Sequence, residues 1–372
     1  MYLDYNATAP VWPEAVEAAA TAMRGLGNPS AVHAGGRGAR ALIETARERV
    51  AAHLGAKPKS VVFTSGGTEA NALALRGLAE SGAIARIAVS AVEHPSVLEA
   101  ARATGLPLEI LPVSPDGVVE IEAAEKTAAP DLLIAVMGAN NETGVIQPIP
   151  EIRAIAKTKG AFLHVDAVQA AGRLPLDFTS DLMTVSAHKL GGPMGMGALL
   201  IADRVPFAAQ LKGGGQERRR RAGTENIAGI AGFAAAMDKL PFLLADQLRL
   251  TALRDRLEAG VLALAPDAVF FGARAERLAN TSCFATPGLA AALQVIALDL
   301  AGIAVSAGAA CSSGKVERSP VLSAMSAGPF AGEAIRVSLG WTSREADIDA
   351  FLDAYGTLLT THRALGARAY GT

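Results

Sequence analysis

Cysteine is nearly missing from this sequence: 372 residues carry two, Cys283 and Cys311. Two thiols cannot build a disulfide framework, and their separation lacks the clustered spacing of a zinc site, so no metal is expected. An excess of either charge is missing too. The 34 Lys and Arg meet 36 Asp and Glu, a formal net charge of −2, which removes any general electrostatic pull towards nucleic acid or a membrane surface. No unbroken apolar run reaches the ~18 residues of a membrane span. The opening MYLDYNATAP has neither a basic stretch nor an apolar one, so it does not read as a secretory signal. A reducing cytoplasm is the expectation. Internal repeats and a disordered tail are also absent. What remains is a chain that is 51% hydrophobic and long enough for two cores.

The pattern along the chain alternates. Pro13 followed by EAVEAAATAM predicts a helix ending at Gly25, and GARALIETARERVAAHL predicts a longer one stopped by Gly55. Then SVVFT, RIAVSAV, LEILPV, DLLIAVM, AFLHVD and DLMTVS recur as short apolar runs with β-branched residues. Helical stretches such as TEANALALRGLAE and PEIRAIAKTKG lie between several of them. Such alternation predicts a parallel sheet covered by helices. Near residue 240 the rhythm changes to a long helical pattern, FLLADQLRLTALRDRLEAGVLALA, then a mixed segment and a terminal helix from about Ser343. The reading is a large α/β domain over 13–245, with 1–12 and 246–372 forming a smaller α+β domain.

In open α/β sheets a ligand sits outside the carboxyl ends of the strands, so the residues after each apolar run matter most. After SVVFT comes SGGTEA, where Gly66 and Gly67 admit a close ligand and Thr68 adds a hydroxyl at a helix start. That is a phosphate cradle, or simply a capped helix. No GK[ST] follows, which disfavours a nucleotide-hydrolysing loop. His94 in EHPS is an ordinary helix-start residue or a ring over a flat ligand. Asn140 and Asn141 in GANNETG serve a turn or a ligand oxygen. Asp166 ends an apolar strand, where an uncompensated carboxylate is costly, so it needs a partner. Gln169 lies three residues on. Lys189 emerges between a strand and the Gly-rich GGPMGMG, flanked by Ser186 and His188. A desolvated lysine there is a candidate Schiff-base residue. A cradle, a carboxylate, a stacking ring, an asparagine and an amine together fit pyridoxal 5'-phosphate.

Cys311 sits in AGAACSSGK among small residues, unlike a core thiol. Gly308 and Gly314 bracket it with permissive backbone, and SAMSAGPFAGE downstream is again small, so the segment is expected to have few buried contacts. Cys283 in NTSCFAT reads as buried strand packing. The run Arg218 to Arg221 is short, interrupted by glycines, without interleaved aromatics and set in a neutral chain, which argues for a solvated or interface loop over nucleic acid.

Taken in order, TSGGTEANAL, VEHPSV, NNETGVIQPI, HVDAVQAAG, SAHKLGGPMGMG, GGGQERRRRAGTEN, AACSSG and AIRVSLG resemble the class V, fold-type-I pyridoxal phosphate enzymes, and among them the cysteine desulfurases. YLDYNATAPV and NPSAVHAGGR resemble that family as well, so the likeness spans essentially the whole chain. It implies a mostly parallel seven-stranded sheet plus a smaller α+β C-terminal domain. It implies Lys189 as the Schiff-base lysine and Asp166 as partner of the pyridine nitrogen. His94 would stack on the ring, and Asn141 and Gln169 would meet its phenolic oxygen. Gly67, Thr68, Ser186 and His188 would hold the phosphate, with Thr224 reaching the neighbouring subunit's phosphate in a homodimer. Arg336 would clamp the carboxylate of L-cysteine, with Asn6 nearby. Lys189 would remove the Cα proton, and Cys311 would take the sulfur as a persulfide, leaving alanine. The persulfide would then pass to an acceptor protein for iron–sulfur cluster assembly or other sulfur-containing products.

The stretch after Cys311, SSGKVERSPVLSAMSAGPF, is the long-loop kind. Selenocysteine lyases and aminotransferases of the same fold share the cofactor residues, but transamination needs no thiol. A non-catalytic interaction subunit would lose the lysine or the cysteine, and both are present. The chain is short beside the housekeeping enzymes and brief after its last helix, an end through which they dock scaffolds, which argues against that mode of docking here.

Overall fold

A computed structural model describes residues 1–310 and 316–369. Cys311 and Gly314 lie outside the described residues. The large sheet contains β1 (Val61–Thr64), β2 (Arg86–Ser90), β3 (Leu108–Leu111), β4 (Leu132–Met137), β5 (Phe162–Asp166), β6 (Leu182–Ser186) and β7 (Gly197–Ile201). Its order is β1-β7-β6-β5-β4-β2-β3, parallel from β6 through β3, as the alternating pattern predicts. β7 is the exception, antiparallel to both β1 and β6. β4, β5 and β6 are buried along their whole length, the signature of a sheet covered on both faces.

The helices packed around this sheet are α1 (Pro13–Arg24), α2 (Ala34–His53), α3 (Gly67–Ala79), α4 (Pro95–Arg102), α5 (Ile121–Thr127), α6 (Ile149–Lys159) and α7 (Ile227–Met237). α2 begins four residues before the predicted start at Gly38. The His33 side chain accepts the Gly36 N–H and caps the helix ahead of its glycines. Ile227–Ala245 has the length and hydropathy of a membrane span by composition. Asp238 and Lys239 interrupt it, and from Gly229 to Met237 every residue of α7 is buried within the protein.

The long pattern after residue 240 also divides, into α8 (Leu240–Ala245) and α9 (Gln247–Leu264). The break falls at Asp246, whose carboxylate takes two bonds of 2.6 Å from Arg249. Beyond it lie β8 (Val269–Phe270), β9 (Thr281–Ala285), α10 (Ala291–Leu300), β10 (Ser306–Ala307), β11 (Ala309–Ala310), β12 (Val316–Glu317), α11 (Pro320–Ala324), β13 (Ala334–Ser338) and α12 (Glu345–Ala369). A second sheet runs β10-β13-β9-β8, and β11 pairs with β12. Its core joins Leu3 to Leu257, Phe284, Ile335, Phe351 and Tyr355. Trp12 stacks on Trp341 at 4.1 Å between centroids, tying this core to the large sheet.

The arginine run is held by charge and not by aromatic partners. Glu217, Arg218 and Arg219 all take left-handed backbone, at φ 45°, 55° and 65°, which costs non-glycine residues about 1–2 kcal/mol each. A buried fork offsets that cost: Arg47 donates to Glu217 at 2.7 and 2.9 Å, and the Phe63 N–H adds 2.9 Å. Arg221 pairs with Glu69 and Arg218 with Glu44, so these cations are largely committed within the chain.

Candidate active site

Adjacent parallel strands end side by side, and here β5 and β6 deliver Asp166 and Ser186 to one edge. Asp166 is 5% exposed. Its Oδ1 accepts the Val168 N–H at 2.9 Å and its Oδ2 accepts Asn71 Nδ2 at 2.8 Å, which answers its need for partners. Asn71 lies one helical turn inside α3, and the start of that helix forms the cradle. Gly66 has φ 152°, open to glycine alone. A side chain on Gly67 would crowd Val168 at 3.1 Å and Ser186 at 3.5 Å, and so would fill the space.

Lys189 follows β6 in a single turn of 3₁₀ helix, Ala187–Lys189. The N-terminal segment laces beneath it. Ala9 N–H donates to the His188 carbonyl at 2.9 Å, and Trp12 Nε1 donates to the Leu190 carbonyl at 2.9 Å. Lys189 Nζ donates to the carbonyls of Asn6 and, at 2.9 Å, Ala7. Among the described residues no carboxylate pairs with it directly. Burial, then the charges of Arg336 and Arg173, push the amine down to about 7, with Asp4 and Asp166 opposing. The lysine is therefore an amine, in good part, near neutral pH.

These groups line one cavity of about 310 Å³. Asn6, Gly67, Thr68, His94, Asn141, Asp166, Gln169, Ser186, His188, Lys189 and Arg336 all border it, as the sequence predicts for a single site. His94 is the cap of α4, its Nδ1 accepting the Ser96 N–H at 3.1 Å, and it also borders the cavity. Burial lowers its pKa, with Asp166 opposing. His188, bonded to Thr8 at 3.1 Å, is held neutral near 4 by burial and by Lys189.

The two asparagines separate. Asn140 serves the turn, its Oδ1 accepting the N–H groups of Glu142 and Thr143 at 2.9 Å each. Asn141 lines the cavity, and its buried Oδ1 has no partner among the described residues. Ser186 Oγ is likewise buried and unpartnered. Both atoms border the cavity, where a ligand could pair with them. An acceptor site at Asn141, a hydroxyl at the α3 start and an amine between them suit a flat ligand with an oxygen substituent, an anionic group and a carbonyl carbon.

Some predicted contacts are already occupied. Gln169 turns its Nε2 to the Asn6 carbonyl at 3.0 Å and takes Arg173 on its Oε1. Arg336 donates to Asp4 at 2.6 Å and to the Asn141 carbonyl at 2.9 Å, with its Nε left unpartnered. Thr224 does not border the cavity. It is exposed in a separate cleft with Ser65, Arg221 and Asn226. Cys283 is fully buried on β9, opposite Arg336 on β13, and burial pushes its thiol far up.

Sequence reasoning missed Asn71 and Glu93. Glu93 is buried, accepts the Met137 N–H at 2.6 Å, and is held well above the usual carboxylate range by burial and by Asp166. It also mistook the ground around Cys311. Val321, Leu322, Met325 and Ala331 are buried, so part of the stretch from Pro320 onward packs against the core.

A family model described as aminotransferase class V matches residues 1–351. A cysteine desulfurase of Cereibacter sphaeroides is 41% identical over 378 residues, covering 98% of this chain and 97% of that protein. An IscS-like cysteine desulfurase of Mycobacterium tuberculosis is 41% identical over 387 residues, covering 99% and 98%. A solved structure of a NifS-like protein superposes with a TM-score of 0.90 at 34% identity, over 97% of this chain and 99% of that one.

Proposed function

The chain belongs to the class V aminotransferase family and is a cysteine desulfurase, and we propose that Lys189, Asp166 and Cys311 are the residues through which it moves sulfur from L-cysteine. The observation that carries this assignment is the meeting of a depressed lysine amine and a doubly bonded aspartate in one cavity with two orphaned polar atoms.

The group that fits this cavity is pyridoxal 5'-phosphate. Lys189 would hold its aldehyde carbon, Asp166 its ring nitrogen, Asn141 its phenolic oxygen, and Thr68, Ser186 and His188 its phosphate. Once bound, the cofactor supplies a sink for the electron pair left at the substrate Cα. The chain's own residues do the rest. Asp166 keeps the ring nitrogen protonated, and its two donors fix where its charge lies. His94, uncharged by burial, covers the ring face without competing for that charge. Arg336 takes the substrate carboxylate, which has to share the guanidinium with Asp4. Lys189, released to its amine form, takes the proton from Cα as general base.

Cys311 then attacks the substrate sulfur as thiolate. The C–S bond breaks and an S–S bond forms. The bonding pair stays with the substrate carbon, which takes a proton and leaves as alanine, so no external oxidant is needed. Cys283, buried with its thiol held protonated, stands aside. The persulfide passes onward to an acceptor protein in a reducing cytoplasm.

Two copies would complete the site. Thr224 is exposed outside the cavity, and Met194, 68% exposed, borders the open cleft beside Thr68 and His188. A partner subunit covering this edge would bring its Thr224 to the phosphate end. Mass spectrometry after one turnover tests the sulfur route: one added sulfur on Cys311 is expected, none in Cys311→Ser, and native behaviour in Cys283→Ser. Sulfur on Cys283, or normal output from Cys311→Ser, would remove Cys311 from its role.

A further inference from the structure

One buried carboxylate touches both ends of the segment that carries Cys311. Glu142 belongs to the NNETG turn, next to Asn141, and is 4% exposed. Its Oε2 accepts the Ser319 hydroxyl at 2.5 Å. Ser319 is the cap of α11, where its Oγ also accepts the Leu322 N–H at 2.9 Å. On the other side the carboxylate packs against the backbone of Gly308. A Cβ there would overlap Glu142 Oε2 and stand 3.3 Å from the Ser319 Cβ. Gly308 is thus glycine for space, and its φ is not left-handed. The expectation that it serves backbone freedom gives way to a close approach.

The two anchors are the last residue before β11 and the second residue after β12, the strands that bracket Cys311. The turn that bears Glu142 is itself rigid. Asn140 Oδ1 receives the Glu142 and Thr143 N–H groups, Asn140 Nδ2 donates to the Val92 carbonyl at 3.0 Å, and the Asn141 carbonyl receives Asn6 and Arg336. A charge is costly in so buried a place unless its partner is worth the desolvation. Burial raises the Glu142 pKa, and the Ser319 bond and the Arg336 charge oppose it.

We infer that Glu142 is a positioning residue for sulfur transfer, fixing Gly308 and Ser319, the two feet of the Cys311 segment, to the turn that presents Asn141 to the cavity. The inference rests on Cys311 being the sulfur carrier. It separates two parts of the reaction. Binding of L-cysteine and loss of its Cα proton depend on the cavity groups, whereas delivery of sulfur to Cys311 depends also on where the feet of its segment stand. Glu142 acts on the second.

The holoenzyme tests this with Glu142→Ala, Ser319→Ala and Glu142→Gln. Glu142→Ala and Ser319→Ala are expected to keep the bound cofactor, its absorbance change on adding L-cysteine and a near-native KM. Both lose about tenfold in the rate at which Cys311 persulfide forms, the order expected when one hydrogen bond to a charged group is lost. Both are also expected to be cut faster by trypsin after Arg318, which is exposed beside the anchor. Glu142→Gln, whose amide oxygen still accepts from Ser319, recovers most of the rate. A native rate of persulfide formation and native cleavage in both deletions would overturn the inference. So would loss of cofactor and absorbance response in step with the persulfide, which marks a merely structural role. If Glu142→Ala does not fold, Ser319→Ala decides by the same readings. If sulfur is found elsewhere than on Cys311, the carrier assignment fails, and the tryptic comparison alone still decides whether Glu142 holds the two feet.

Discussion

Removing the Asn71 side chain tests whether Asp166 acts through a fixed charge. Asn71 is 1% exposed and donates to Asp166 Oδ2 at 2.8 Å and to Ser96 Oγ at 2.9 Å. A hydrogen bond to a charged group contributes about 1.5–3 kcal/mol, which corresponds to roughly ten- to a hundredfold in rate if it is felt at the transition state. The Val168 N–H keeps hold of the other oxygen at 2.9 Å, so the lower end applies. Asn71→Ala should therefore lose about tenfold in kcat/KM for L-cysteine while keeping its cofactor. Asn71→Asp should be worse than Ala. It replaces the donor with a second carboxylate beside the first, and two like charges about 4 Å apart repel by about 4 kcal/mol at an effective dielectric near 20. One proton would be shared between them, and Asp166 would lose the full charge it needs. The assay is alanine formation against substrate concentration, with cofactor absorbance per protomer and thermal midpoint as controls for folding. Native kcat/KM in the cofactor-replete Asn71→Ala protein, or Asn71→Asp matching it, would refute the reasoning.

Other outcomes follow from the same geometry. Lys189 has its folded pKa lowered to about 7, so its amine form, and with it its reaction with an amine reagent in cofactor-stripped protein, should rise with pH and reach half its maximum near 7. Arg336→Gln removes a positive neighbour, which favours the protonated amine, so that midpoint should move upward; a midpoint that stays put would show that Arg336 does not set it. Mixing Lys189→Ala with Thr224→Ala subunits should place both lesions in one site of each mixed dimer and leave its other site intact. Random pairing then restores about one quarter of native activity, and no gain over the parent variants would exclude a shared site.

The strand-helix alternation was legible because parallel strands buried on both faces need unbroken apolar runs, as DLLIAVM and DLMTVS show. β7 escaped because GALLI opens on glycine and has one β-branched residue, and its antiparallel direction follows from sheet closure against β1, which no local pattern records. The start of α2 escaped because its glycines look like a loop until the His33 ring is seen capping them. The single helix read through Asp246 is two helices that meet there, a break its apolar pattern does not mark.

The site divides along a different line. Residues that follow strand ends could be read from the sequence, since a parallel sheet brings its carboxyl ends to one edge, and Asp166, Ser186 and Lys189 meet there. Residues whose role depends on a partner far along the chain could not. Asn71 reads as one polar position on a buried helix until Asp166, 95 residues on, is set beside it. Arg336 reads as a free guanidinium, yet Asp4, 332 residues away, already holds one of its nitrogens. A substrate carboxylate bound as proposed would therefore share Arg336 with Asp4, a competition between two carboxylates for one fork. Glu142 and Gly308 make the same point about space. Each looks like loop chemistry in its own stretch, and only their contact shows that Gly308 leaves room for a carboxylate.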